Sequence, residues 1–225
     1  MAERLPQVLT EEEWRAFIRQ FSTRCPTGLR NRAVFTLLHD AGLRTAEALD
    51  LQLQDIRRDG DVTGLLIRGK GGRERWAWLT EEAQRLLDAW LEKRRELGLG
   101  QRKYVFVTLK GGRLDSGYVR EVCARKGHEA GLPERAHPHA LRHTFATDLL
   151  EREKDLALVQ DALGHRDPKT TRVYARVRNA RLKEAMTRKR DEQAAQLVQA
   201  LRDLPAEVKQ KVAAALLQET TEATE

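Results

Sequence analysis

The 225-residue chain is 40% hydrophobic and 33% charged, enough apolar residue to bury a sizeable core in one large domain or one domain with an appendage. Lys and Arg outnumber Asp and Glu by 41 to 34, a formal charge of +7 with a pI near 9.6; this points to a polyanionic partner without separating DNA from RNA or an acidic membrane face. The N-terminal MAERLPQVLTEEEW has no apolar stretch of signal-peptide length, no run approaches the roughly 20 apolar residues of a membrane span, and Cys25 and Cys123 stand without a CxxC partner. These features argue against an exported, membrane-spanning, disulfide-framed or zinc-knuckle protein and for a cytosolic one whose thiols are buried or idle.

Thr10 with Glu13 makes a capping box ahead of an amphipathic run to about Phe21, and a second helix is predicted from about Leu29 to Asp40, before Gly42. Arg44 falls just past that helix end, and Thr45 is placed to cap a short helix through Leu51. The pattern then changes. Val62 to Ile67 and Arg75 to Leu79 are β-rich runs flanking Gly69-Lys70-Gly71-Gly72, which reads as a hairpin with Lys70 at its turn. Helices follow at about Glu81 to Leu97, Ser116 to Ala130 with Gly131 at its end, and His139 to Glu151 behind Pro138. Shorter ones are predicted over Leu156 to Leu163 and Thr170 to Arg178. The class is α+β, mainly helical with one small antiparallel sheet.

Beyond Asn179 the character shifts. From His165 to Arg190 there are ten Lys or Arg against two Asp or Glu, whereas from Asp191 to Glu225 there are three against seven. The tail carries apolar stripes at Leu197, Leu201 and Leu204 and at Val208, Val212 and Leu216, with Pro205 opening a second helix. Residues 1–183 are expected to form one domain and 184–225 a helical tail whose stripes need a partner surface, either a neighbouring protomer or the chain's own domain.

Four stretches carry reactive residue types: AGLRTAEAL around Arg44, RGKGGRERW around Lys70, HPHALRHTFATDLL around His139 and Arg142, and ALGHRDPKTTRVYARV with His165 and Tyr174. Singly, each has a plain reading: a surface arginine, a solubilising turn lysine, a histidine cap and a half-buried ring. Together, HxLRHTFAT followed by LGH and then a Tyr nine positions after that His within TTxxYAxV is a long conjunction. In order and spacing it resembles the tyrosine recombinase and phage integrase family, over about Leu9 to Lys183.

Breaking a phosphodiester needs positive charge around the non-bridging oxygens, a nucleophile in line and a proton for the leaving 5′ oxygen. Arg44 and Arg142 suit the first, because their planar forks contact phosphate bidentately and stay charged. Glu47, on the same short helix, is placed either to orient the Arg44 fork or to lie exposed on an amphipathic face. The resemblance implies the remaining roles: His139 as general base exchanging the tyrosine proton, His165 as hydrogen-bond donor to the phosphate, Lys70 as general acid on the leaving hydroxyl, and Tyr174 as the nucleophile of a 3′-phosphotyrosyl bond. It also implies double-stranded DNA carrying a specific recombination site as partner, and tetramer assembly on that DNA. No cofactor or metal is implied.

His137, His139 and His143 imitate metal-ligand spacing, but no carboxylate or Cys completes a set, and His143 is expected to pack behind the site. The Gly69 loop lacks the GxxxxGK[ST] frame of a P-loop. Ser22 and Ser116, the only serines, lack the neighbours a serine recombinase needs. Two other classes stay open at this stage: a type IB topoisomerase-like relaxing enzyme sharing the Tyr174 chemistry, and a non-catalytic DNA-binding protein that keeps the fold. Family members commonly carry a helical core-binding domain ahead of the catalytic one. Only 43 residues precede Arg44 and they read as the start of the catalytic domain, so no core-binding domain is expected.

Overall fold

The computed structural model describes residues 7–164 apart from 70, 71, 73, 134 and 135. Helix α1 (Glu11–Ile18) starts at the predicted capping box: the Thr10 hydroxyl accepts the Glu13 amide, the Glu13 carboxylate accepts the Thr10 amide, and Trp14, Phe17 and Ile18 are buried. Helix α2 (Pro26–Asp40) begins earlier than expected, because Pro26 occupies the first helical turn, where its missing N–H costs nothing. It is the central helix, burying Leu29, Ala33, Val34, Phe35, Leu37 and Leu38. At its end Trp14 stacks on His39 at 3.9 Å, His39 Nδ1 lies 2.7 Å from the Asp40 carboxylate, and Thr80 donates to the same carboxylate at 2.6 Å. The buried polar groups there are satisfied by one another.

Helix α3 (Thr45–Asp50) has Arg44, not Thr45, as its N-cap, since the Glu47 carboxylate accepts the Arg44 amide at 2.8 Å and draws that residue into the cap position. A 3-10 turn at Leu53–Asp55 leads into strand β1 (Ile56–Asp59), followed by β2 (Val62–Arg68) and β3 (Glu74–Trp78), antiparallel in the order β1-β2-β3. Leu65 pairs with Ala77 and Ile67 with Arg75. The expected hairpin is thus formed, with Lys70 in the connection and outside the described residues. Helix α4 (Glu81–Glu96) is capped by Thr80, α5 (Ser116–Glu129) by Asp115, α6 (Pro138–Glu153) by His137, and α7 (Leu156–Leu163) by Asp155. The predicted helix at Thr170 to Arg178, the tail stripes, His165 and Tyr174 lie outside the described residues.

Among the described residues two apolar clusters form. The larger gathers Phe17, Phe35, Leu38, Leu65, Leu87, Trp90, Phe106 and Leu141 from α1 through the start of α6. The smaller, Trp78, Phe145, Leu149, Leu158, Val159, Ala162 and Leu163, joins β3, the rest of α6 and α7.

Between α2 and α3 the chain turns at Gly42, with φ +60°, and a Cβ there would lie 2.3 Å from Cδ1 of Phe145. Left-handed strain and overpacking both oppose a side chain, so Gly42→Ala is expected to cost roughly 3 kcal/mol, seen as a lowered denaturant midpoint with unchanged slope. An unmoved midpoint would mean that α6 does not press on this turn as described.

Candidate active site

The Gly42 turn puts Arg44 at the head of α3, and Glu47 follows one helical turn later, so both side chains meet on one face. Arg44 Nη1 donates to Glu47 Oε1 at 2.8 Å. From α6, Arg142 crosses to the same place: its Nη1 donates to the Gly42 carbonyl and lies 3.7 Å from Glu47 Oε2, while its Nη2 donates to the Leu163 carbonyl at 2.6 Å. A third arginine, Arg75 on β3, donates through Nη2 to Glu47 Oε2 at 2.9 Å and through Nε to the Ala162 carbonyl at 3.0 Å. Sequence reasoning missed Arg75. Its signal was the period-two pattern of β3, where an arginine shares a sheet face with buried Ala77 and must find a partner.

The two readings of Glu47 are thereby separated. Its side chain is 7% exposed and collects arginines from α3, β3 and α6, so the exposed-face reading does not hold. Burial alone would push its carboxyl up, but the hydrogen bond and charge of Arg75, then the backbone and side-chain hydrogen bonds of Arg44, outweigh it and hold the pKa below the ordinary carboxylate value. Glu47 is therefore an anion at neutral pH. Arg142, 8% exposed, has its pKa pushed down to about 10, chiefly by burial and then by the Arg44 charge, with Glu47 opposing; it remains a cation at neutral pH. Arg44 is the most open of the three, with 41% of its side chain exposed. Three guanidinium groups around one carboxylate leave the cluster at net +2.

On α6, His137 Nδ1 accepts the Ala140 amide at 3.2 Å and so caps the helix. His139 is exposed three positions before Arg142. His143 is exposed too, against the expectation that it packs behind the site: the buried side of α6 is taken by Ala140, Leu141, Arg142, Thr144, Phe145 and Leu149, and position 143 falls with 139 on the open side. Its pKa is lowered by partial desolvation and by His139, His137 and Arg142, so it is neutral near pH 7. Cys123 is buried and its thiol pushed up to about 12 by that burial, whereas Cys25 is exposed. The structure thus brings together Arg44, Glu47 and Arg142 of the predicted set and puts His139 on the helix that carries Arg142. Lys70, His165 and Tyr174 are outside the described residues.

A mainly helical fold with one small antiparallel sheet, carrying an arginine cluster at the meeting of α3, β3 and α6, defines the class: a tyrosine recombinase catalytic domain. The family model for the phage integrase family matches residues 7–181, and the chain belongs to that family. It is 36% identical over 188 residues to tyrosine recombinase XerC of Halalkalibacterium halodurans, covering 81% of this chain and 61% of the relative. To XerD of Mycobacterium tuberculosis it is 37% identical over 191 residues, covering 81% and 60%. Among solved structures it is similar to XerH site-specific recombinase bound to palindromic difH substrate in a post-cleavage complex, with TM-score 0.65 and 33% identity, covering 81% of this chain and 53% of that one. The chain therefore spans about 60% of the length of the Xer relatives it matches.

Proposed function

We propose that this chain is the catalytic part of a site-specific DNA recombinase that cuts and rejoins strands through a 3′-phosphotyrosyl intermediate, with neither metal nor ATP. The observation that carries the reading is the cluster of Arg44, Arg75 and Arg142 around Glu47 in a member of this family. A phosphodiester brings one negative charge, and the five-coordinate transition state of its attack by an oxyanion brings two. A preset net +2 therefore favours the transition state over the ground state, and it needs no reorganisation when charge develops. In this reading the Tyr174 oxygen attacks phosphorus, its proton passing to His139, while the bond to the 5′ oxygen breaks and that oxygen takes a proton from Lys70. His165 donates to a non-bridging oxygen, and Glu47 orients Arg44. Religation reverses these transfers, and the phosphotyrosyl bond conserves the energy of the broken one.

The partner is double-stranded DNA with a specific site, a reading supported by the relative solved on its difH substrate and by the basic segment from His165 to Arg190. Further copies of the chain complete the assembly, a tetramer on DNA, with 184–225 as the segment that contacts a neighbouring protomer. Cytoplasmic action follows from such a substrate. Among the described residues no helix is long and apolar enough to cross a membrane.

A library of nicked duplexes with a randomised core tests this: in excess chelator the protein should form a covalent protein–DNA species on denaturing gels, and sequencing the captured DNA yields the target. Absence of adduct across the library, or adduct only after a divalent ion is restored, would overturn the reading. On the captured site, Lys70→Ala is expected to slow cleavage by about 100-fold or more and to be rescued by a 5′-phosphorothiolate, whose leaving group needs no proton. Without rescue, Lys70 is not the acid.

A further inference from the structure

Arg75 occupies a core-facing position of β3, opposite Ile67, and its side chain is 12% exposed. A cation at an inward strand position is costly unless paired, and this one is paired twice. Nη2 reaches Glu47 on α3, and Nε reaches the carbonyl of Ala162 in the last turn of α7, where carbonyls have no partner within the helix. Arg142 takes the next carbonyl, that of Leu163. Two arginines from separate elements thus close the end of α7, and both also meet Oε2 of Glu47. Gly164, with φ +68°, completes the fit: a Cβ there would lie 3.1 Å from Cδ of Arg75, so the LGH glycine gives the guanidinium stem its room.

We propose that Arg75 is a positioning residue: it locks the Glu47 carboxylate, and through it the Arg44 and Arg142 guanidinium groups, in register with the end of α7, after which His165 follows in the chain. The catalytic consequence rests on the recombinase reading above; the linkage itself does not. Arginine is required because two bonds leave one planar group in different directions, to different elements. A lysine ammonium carries its donors on one point and lacks the fixed fork that aims Nε and Nη2 at both acceptors.

The test uses Arg75→Met and Arg75→Lys in the full chain, on the duplex captured with the unaltered protein. Arg75→Met should slow cleavage of bound DNA on the order of 100-fold, the scale on which small misplacements of catalytic groups act. DNA affinity by gel shift should stay within about threefold, because phosphate contacts spread over the basic surface dominate it. Arg75→Lys should recover about tenfold of the lost rate. In the free protein, carbon-13 NMR should find the Glu47 carboxyl titrating at higher pH in Arg75→Met than in the unaltered chain, with the Arg44 and Arg142 charges still facing it. Cleavage at the unaltered rate, affinity falling in step with rate, or a Glu47 titration that does not move would each overturn the proposal. Where Arg75→Met melts too low to assay, Arg75→Lys is judged alone: a slowed cleavage step at retained affinity supports the proposal, and full activity overturns it. If the unaltered protein forms no adduct, it is the recombinase reading that fails, and the Glu47 titration still decides the linkage.

Discussion

Tyr174→Phe is expected to remove the covalent adduct completely while shifting DNA affinity by less than about twofold, since in the proposed mechanism one hydroxyl supplies the nucleophile and little of the phosphate contact that governs binding. The chain has three tyrosines, and the other two are engaged in structure. The Tyr118 hydroxyl accepts from both Arg30 and Asn31 at 2.9 Å. The Tyr104 ring lies under the Lys103 and Arg113 cations, and its backbone bridges to Gln52. Denaturing gels and gel shifts on the same captured duplex make the measurement. Adduct surviving the substitution would transfer the nucleophile's role to another residue.

The second large effect is expected at Arg142. Its guanidinium spans the carbonyls of Gly42 and Leu163 while standing beside Glu47, so it fixes the α2–α3 turn, the end of α7 and, in the proposed mechanism, the phosphate clamp with one group. Arg142→Lys keeps the charge but cannot span both carbonyls, and one buried acceptor is left unpaired. Cleavage of bound DNA should fall by about 100- to 1000-fold, the range for loss of a preset donor to a developing anion. The unfolding free energy should fall by about 2 kcal/mol. Single-turnover cleavage and a denaturant titration read the two numbers separately. Cleavage within a few fold of the unaltered chain would show that the clamp needs only the charge.

What the sequence reveals divides by the range of the interactions involved. Helices whose ends are set locally were readable: α1 starts at the predicted Thr10–Glu13 capping box, and α7 covers the expected Leu156 to Leu163, where the structure puts Asp155 and Gly164 at its ends. Strand β1 was not, because Ile56–Asp59 has no alternation, buries little, and exists by pairing with β2. Arg44 and Arg142 were singled out because the chemistry of a phosphate clamp asks for that residue type in a recognisable frame, and both meet Glu47. Glu47 stayed ambiguous because its burial comes from Arg75 and Arg142, which are distant in the chain. Arg75 was passed over because inside RGKGGRERW it reads as one more hairpin charge; the period-two pattern that puts it on the face of Ala77 was the signal, and its partner Glu47 is distant in the chain. His143 was misplaced because a face of α6 that carries histidines was taken for a packed one.

The division of the apolar interior into a large cluster and a small one sets a hierarchy of motions. Local opening draws only on the contacts it breaks, so α7 can loosen by parting Trp78, Phe145, Leu149 and their neighbours while the larger cluster, with α2 and the head of α3, stays intact. Amide exchange would then proceed faster along Leu156–Leu163 than along Pro26–Asp40, and each excursion would release the Leu163 carbonyl from Arg142 and the Ala162 carbonyl from Arg75. The arginine cluster and the end of α7 are in this way joined by a latch whose strength is a fraction of the global stability.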